Sequence, residues 1–284
     1  MVETKGELFA EISHGRTADE VVRQIELLLL DGVLRDGDRL PGERDLALRF
    51  DVSRPILREA LKELENRGLL VSQHGGGTFV ADIVGQVFST PLTALIARHE
   101  KATRDYLEYR RHLEGLTAEM AARRATETDK ALLARIVEGM RSAIERNSAE
   151  DELAADVEFH NAVGEAAHNI ILLHTLRACY RLLSEGILSS RQAVFALGDA
   201  RAQLLSQHVA IYQAIVAGDP AAAKAAAEAH VDFVAHAVEE VTRASEWTRV
   251  SQLRQIQRET RPLAARTARS ASPSPPPKGT DTKP

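Results

Sequence analysis

The chain has little of what would place it outside the cell, in a membrane or in a basic field. Its 284 residues include one cysteine, Cys179, which excludes an intrachain disulfide and fits a reducing compartment. The densest apolar stretch, Ile25–Leu30, is far shorter than the roughly 20 residues that span a bilayer. Residues 1–11 carry acids and no long apolar run, unlike a secretory leader. These absences predict a cytoplasmic protein with no membrane partner. The formal net charge is −5, so any contact with nucleic acid must come from a local patch. Aromatics are only 4% against 44% hydrophobic residues. Alanine and leucine carry much of that fraction, which favours helix over sheet.

What is present divides into a small head and a longer helical region, as the length suggests. Residues 1–15 read as a weakly structured arm. From 16 to 82 the pattern is helix, helix, turn, helix, hairpin. Val21, Val22, Ile25, Leu28 and Leu29 repeat at helical spacing and stop near Gly32; Glu43–Phe50 forms a short helix. Ser53 can cap a third helix running to about Arg67, with Gly68 as its stop. Leu69–Ser72 and Thr78–Ala81 read as strands joined by Gly75, Gly76 and Gly77. This is the order of a winged helix-turn-helix. Residues 83–102 read as a connecting segment, with helical potential between Pro91 and His99. From 103 to 245 every segment has helical periodicity, predicting an antiparallel α-helical bundle. Asn169 and Asp219 are candidate caps, and Pro220 suits a first helical turn. Residues 246–284 turn basic and then rich in proline and serine, and are expected to be a largely disordered tail. The expected fold class is therefore mainly α, with a small β-hairpin wing.

On the third helix, Arg54, Arg58 and Lys62 fall on one stripe, and Leu57, Ala60, Leu61 and Leu64 on a neighbouring apolar arc. The arc packs the helix on its domain and leaves the stripe facing outward, where a helix of this diameter fits a major groove. An arginine there can neutralise a phosphate or bind guanine through two donors. Arg44, early in the preceding helix, can hold a backbone phosphate, and Ser53 can donate to one at the helix N-terminus. The tip from His74 to Gly77 is free of bulky groups beyond His74, so its backbone can approach a groove. A single basic stripe would be an ordinary solvated face; the ordered array gives it weight. The segment PGERDLALRFDVSRPILREALKELENRGLLVSQHGGGTFV closely resembles the DNA-binding module of GntR-superfamily regulators. That resemblance implies DNA contacts at Arg44, Ser53, Arg54, Arg58 and Gly75. Gly42 and Pro55 depart mildly from the family pattern; Pro55 falls in the first helical turn, where its missing N–H costs little.

In the helical region Asp156 and His160 are four apart on a face shared with Leu153, Val157 and Val163. His208 sits among Leu204, Leu205, Ile211 and Ile215, and His230 among Ala226, Ala227, Phe233 and Val234. All four polar groups should point inward, where a carboxylate needs a partner or a metal. Three imidazoles and one carboxylate suit a divalent ion: zinc first, with nickel, manganese or iron also compatible. Such a set leaves open positions for a chelating acid. Arg110 also faces inward, either to take a ligand carboxylate or to pair with Glu114. His168 and His174 read as structural.

These motifs resemble the FCD ligand-binding domain of the FadR-type branch. YLEYRRHLEGLTAEMAARRAT and GEAAHNIILLHTLR look most like the pyruvate dehydrogenase complex repressor and the lactate and glycolate regulators. The resemblance implies a metal held by Asp156, His160, His208 and His230, with Arg110 placed to meet the effector. It further implies a homodimeric repressor on a pseudo-palindromic operator in double-stranded DNA, controlled by a small 2-oxo or 2-hydroxy carboxylate. The chain departs from the dehydrogenase repressor in keeping the full Asp156/His160 pair. Two alternatives remain: a DNA-binding protein whose metal site is purely structural, and a metal-dependent hydrolase. The absence of HExxH, a nucleophile elbow and a general base argues for no enzyme activity.

Overall fold

A computed structural model describes residues 17–73, 75–83, 90–182 and 200–260. The expected arm over 1–15, His74 and the end of the tail lie outside these residues. In the head, α1 (Ala18–Leu30), α2 (Glu43–Phe50) and α3 (Arg54–Asn66) precede a hairpin of β1 (Leu70–Gln73) and β2 (Gly77–Val80). The strands pair antiparallel with Leu70 opposite Val80, and each begins or ends one residue from the bounds expected from the sequence. The segment before α2 adds a short third edge, where Leu40 N–H donates to Thr78 O at 2.9 Å and Val80 N–H to Asp38 O at 2.9 Å. The apolar arcs of the three helices meet in one core containing Val21, Ile25, Leu46, Phe50, Leu57 and Leu64. Burial of these side chains is the main stabilisation of so small a unit.

Ser53 holds the N-cap position of α3 with extended backbone, but its side chain makes no capping hydrogen bond, contrary to the sequence expectation. An N-cap oxygen normally accepts from the second or third helical N–H. Here the second helical residue is Pro55, which has none to give, and the N–H of the third, Ile56, is not taken up by Ser53.

The connecting segment carries the helix expected between Pro91 and His99: α4 (Thr90–Arg98), followed directly by α5 (Glu100–Arg124). Then come α6 (Glu127–Glu145), α7 (Ala149–Ala166), α8 (Ile170–Leu182), α9 (Ala200–Ala217) and α10 (Pro220–Thr260). Their boundaries follow from local chemistry. Thr126 and Asp129 form a reciprocal capping box on α6. Ser148 caps α7; Asn169 Oδ1 accepts from two N–H groups of α8 and Asp219 Oδ1 from Ala222 N–H of α10. The bundle core gathers Ala118, Leu133, Val137, Phe159, Ile211 and Ile215.

The head meets the bundle through polar contacts. Arg35 reaches Glu158 at 3.2 Å and Glu165 at 3.0 Å. Arg177 pairs with the same Glu165 at 2.6 Å and donates to Gly32 O at 3.2 Å. Gly32 has φ +69°, and an added Cβ would lie 2.7 Å from Leu173 Cδ2, so a side chain there would be both strained and in collision.

Among the described residues, 237–260 form a separate unit. The helix continues to Thr260, past the boundary at 245 where the basic tail was expected to begin. No proline or glycine interrupts residues 221–260, and alanine, arginine, glutamine and glutamate favour helix. Trp247, Leu253 and Ile256 are exposed there. Among the described residues no helix is long and apolar enough to cross a membrane.

Candidate nucleic-acid interface and candidate metal centre

The surface of α3 divides as its sequence dictates. Leu57, Ala60, Leu61 and Leu64 are buried, while Arg54, Arg58 and Lys62 are exposed. Arg58 Nε donates to Glu43 Oε2 at 2.8 Å, and Arg54 lies 3.7 Å from the same carboxylate. Both arginines remain about 60% exposed, at 61% and 60%. A phosphate or base edge can therefore compete with Glu43 for them. Arg44 and Ser53 are exposed nearby. Gly75, at the wing tip, has φ +74° and nothing within 4 Å of its missing side chain, leaving its backbone open to close approach. The sequence offered no reason to single out Glu43, which is fifteen residues from Arg58 and meets it only through the tertiary fold.

Inside the bundle, α7 supplies Asp156 and His160, α9 supplies His208 and α10 supplies His230. All four are buried, and one donor atom from each lies within 4.8 Å of the others. His208 Nε2 is 3.2 Å from His160 Nε2 and 3.3 Å from Asp156 Oδ1. His230 Nε2 is buried and makes no hydrogen bond. A buried nitrogen with no hydrogen-bond partner, facing two imidazoles and a carboxylate, fits a divalent cation, and the mixed N/O donor set suits zinc or another first-row metal. Such an ion, once bound, would act as a Lewis acid with open positions for oxygen ligands.

The cage has a polar surround that the sequence only partly disclosed. Arg110 Nε donates to Glu114 Oε1, and its Nη2 donates to Tyr180 Oη at 2.6 Å. Tyr180 Oη donates in turn to Glu114 Oε1 at 2.6 Å. The other Glu114 oxygen lies 3.0 Å from His160 Nδ1. The Tyr180 ring stacks on His160 with centroids 4.7 Å apart. On the opposite side His230 Nδ1 is 3.1 Å from Gln207 Oε1. Glu114 was visible as a possible partner of Arg110 from its spacing of four; nothing local marked Tyr180 or Gln207. His168 and His174 stand apart from the cage, against Asp129 and Leu30 O respectively.

Burial alone would raise the Glu114 carboxyl, but the Arg110 guanidinium, with the His160 ring beside it, outweighs burial and holds the group well below the usual carboxylate range. Burial pulls His160 down, with Glu114 acting in the opposite sense. Burial also pulls His230 well below its ordinary value, reinforced by His208 and His160. Both shifts favour the neutral ring at His160 and His230, the form that coordinates a metal. Burial pushes the Cys179 thiol up to about 12, so it stays a packed thiol.

Comparison with known proteins agrees with this division. Residues 17–80 match the family model described as bacterial regulatory proteins, gntR family, and residues 105–233 match the FCD domain. The "Putative L-lactate dehydrogenase operon regulatory protein" of Escherichia coli K12 is 39% identical, covering 77% of this chain and 85% of that one. The Glc operon transcriptional activator of the same strain is 33% identical, over 75% and 85%. The HTH-type transcriptional regulator LutR of Bacillus subtilis is 34% identical, over 73% and 94%.

Proposed function

The chain belongs to the gntR family of bacterial transcription regulators, with an FCD domain behind its DNA-binding head, and from that premise we propose a repressor whose operator affinity is set by a small carboxylate at a metal held by Asp156, His160, His208 and His230. The observation that carries this reading is the buried four-residue cage, built into the same chain as an exposed arginine-bearing recognition helix. Arg54 and Arg58 read base edges or phosphates, Arg44 and Ser53 hold the backbone, and the wing approaches through Gly75. Two copies of the chain, related by a twofold axis, would bind a pseudo-palindrome.

The effector class is a 2-hydroxy or 2-oxo acid, whose adjacent oxygens chelate one ion; the operon named for one relative makes L-lactate the first acid to try, with glycolate and pyruvate as small acids of the same class. Among the described residues, the cavity beside Asp156 and His208 is about 30 Å³ and is lined also by Arg201 and Glu152. That is room for about two waters, so such an acid enters only as the surrounding helices part. Arg110 is held by Glu114 and Tyr180, and an effector carboxylate would reach it only by displacing Glu114. Binding of this kind favours one arrangement of the bundle over another, which is what allows a ligand to shift DNA affinity.

The test uses purified full-length protein, stripped with a chelator and reloaded with zinc. L-Lactate, glycolate or pyruvate should raise the unfolding temperature of the zinc form alone and weaken its binding to the DNA upstream of its own gene. His208→Ala combined with His230→Ala should retain no metal and show no acid response. Metal uptake without any response to these acids would leave a structural metal site in a regulator controlled by other means. Full metal occupancy in the double variant would place the site elsewhere.

A further inference from the structure

The three imidazoles of the cage are not equivalent, and their partners say which proton each ring carries. A neutral imidazole has one N–H and one lone pair, and the hydrogen bond made by one nitrogen decides the role of the other. His160 Nδ1 lies 3.0 Å from a Glu114 oxygen, close enough for that charge to draw the ring proton to Nδ1, although the two are not aligned as a hydrogen bond. That carboxylate, ion-paired to Arg110, can only accept. His160 therefore carries its proton on Nδ1 and turns the Nε2 lone pair inward. His230 Nδ1 lies 3.1 Å from Gln207 Oε1, an amide oxygen, and its Nε2 is the buried nitrogen with no hydrogen bond. His230 is set the same way. His208 differs. Its Nε2 lies between His160 Nε2, 3.2 Å away, and Asp156 Oδ1, 3.3 Å away, both of which accept. In the metal-free cage His208 is the ring that donates through Nε2.

We infer that Glu114 and Gln207 are positioning residues that commit His160 and His230 to their metal-binding tautomer in advance, while His208 must move its Nε2 proton to admit the ion. The inference rests on the metal reading of the cage, and it adds which outer groups prepare it. Outer partners of this kind typically change metal affinity by about 10–100-fold when removed. The arrangement also ties Arg110 to the metal through Glu114: a ligand that draws Arg110 away loosens the carboxylate holding His160.

Imidazole ¹⁵N spectra of the metal-free full-length protein read the tautomers directly. His160 and His230 should show protonated Nδ1, and His208 protonated Nε2. On adding zinc, the His208 signal should convert to the Nδ1–H form while the other two keep theirs. A protonated Nε2 on His160 or His230 overturns the inference, whatever the metal result. Affinity gives the second arm, with zinc in competition with a chromophoric chelator. Gln207→Leu should weaken zinc binding about 10–100-fold, and Gln207→Glu, which restores an acceptor, should recover it. Gln207 is only half-buried, so neither substitution should prevent folding. The double substitution Arg110→Met with Glu114→Leu removes the His160 partner without stranding a buried guanidinium, and should weaken zinc similarly. Wild-type affinity in both Gln207→Leu and the double variant overturns the inference, whereas a wild-type chain that binds no zinc sinks the metal reading instead.

Discussion

The head and the helical domain are built on opposite plans. Among the described residues every buried polar or charged side chain lies between Arg110 and His230, and the core of the head is wholly apolar. The head carries Arg44, Ser53, Arg54 and Arg58, its proposed DNA contacts, on the outside. The bundle keeps Asp156, His160, His208 and His230 at its centre. A part that must meet a polyanion needs exposed charge on a rigid support. On the proposed reading the bundle grips a small ion and excludes water, which needs its polar atoms inside, held by further polar atoms. Desolvating those atoms is costly, and the surround of Glu114, Tyr180 and Gln207 supplies the partners that offset it.

If the two plans are independent, breaking one should spare the other. Phe50 is fully buried in the head core, and Phe50→Ala should cost about 3–5 kcal/mol there. Circular dichroism melts should show the head unfolding early and operator binding lost, with zinc uptake unchanged. Loss of zinc uptake in this variant would show one shared cooperative unit.

The next effect separates the cores by pH. His160 and His230 have folded pKa values pulled below their unfolded value near 6.5, so below that pH the unfolded chain binds more protons and stability falls with acid. Around His230 stand His208, His160, Glu114 and Arg110; the Glu114 contribution is lost only below its unfolded value near 4.5 and lies outside this window. Melts of the metal-free protein should therefore weaken from about pH 6.5 to 5 in the bundle transition and not in the head. Equal sensitivity of the two would erase the contrast.

Arg58→Ala should cost about 1–3 kcal/mol in specific DNA binding at fixed salt, with the metal site untouched. Unchanged operator affinity would remove α3 as the reading helix. The smallest effect is expected at the contact between the two parts. Arg35 is 41% exposed, and partly exposed ion pairs contribute about 0–1 kcal/mol. Arg35→Ala should move either melting transition by no more than that. A larger shift would mean that the head depends on the bundle for its fold.

The basic stripe of α3 was legible because four residues of one helix settle which side is apolar and which is left over. The caps at Asn169 and Asp219 were legible for the same local reason. Ser53 holds the cap position without the side-chain bond: Pro55 removes one of the two N–H groups it could have used, and the Ile56 N–H is not taken up. The start of the tail is placed too early by composition, which underestimates helix wherever alanine, glutamate and arginine continue without a break. The inward direction of Asp156, His160, His208 and His230 followed from helical wheels, but their convergence did not, since they come from three helices whose relative rotation is a packing outcome.

The amino-acid order alone determined the helices, the hairpin, the exposed arginines and the set of polar groups that had to be buried. Those properties depend on spacings of two to four residues along one backbone. Only the folded chain decided that Glu43 guards Arg58, that Glu114 and Gln207 face the outer nitrogens of His160 and His230, and that four donors share one centre. Each of these is a distance between segments far apart in the chain, and such distances are set by how apolar faces pack together, which no local pattern records.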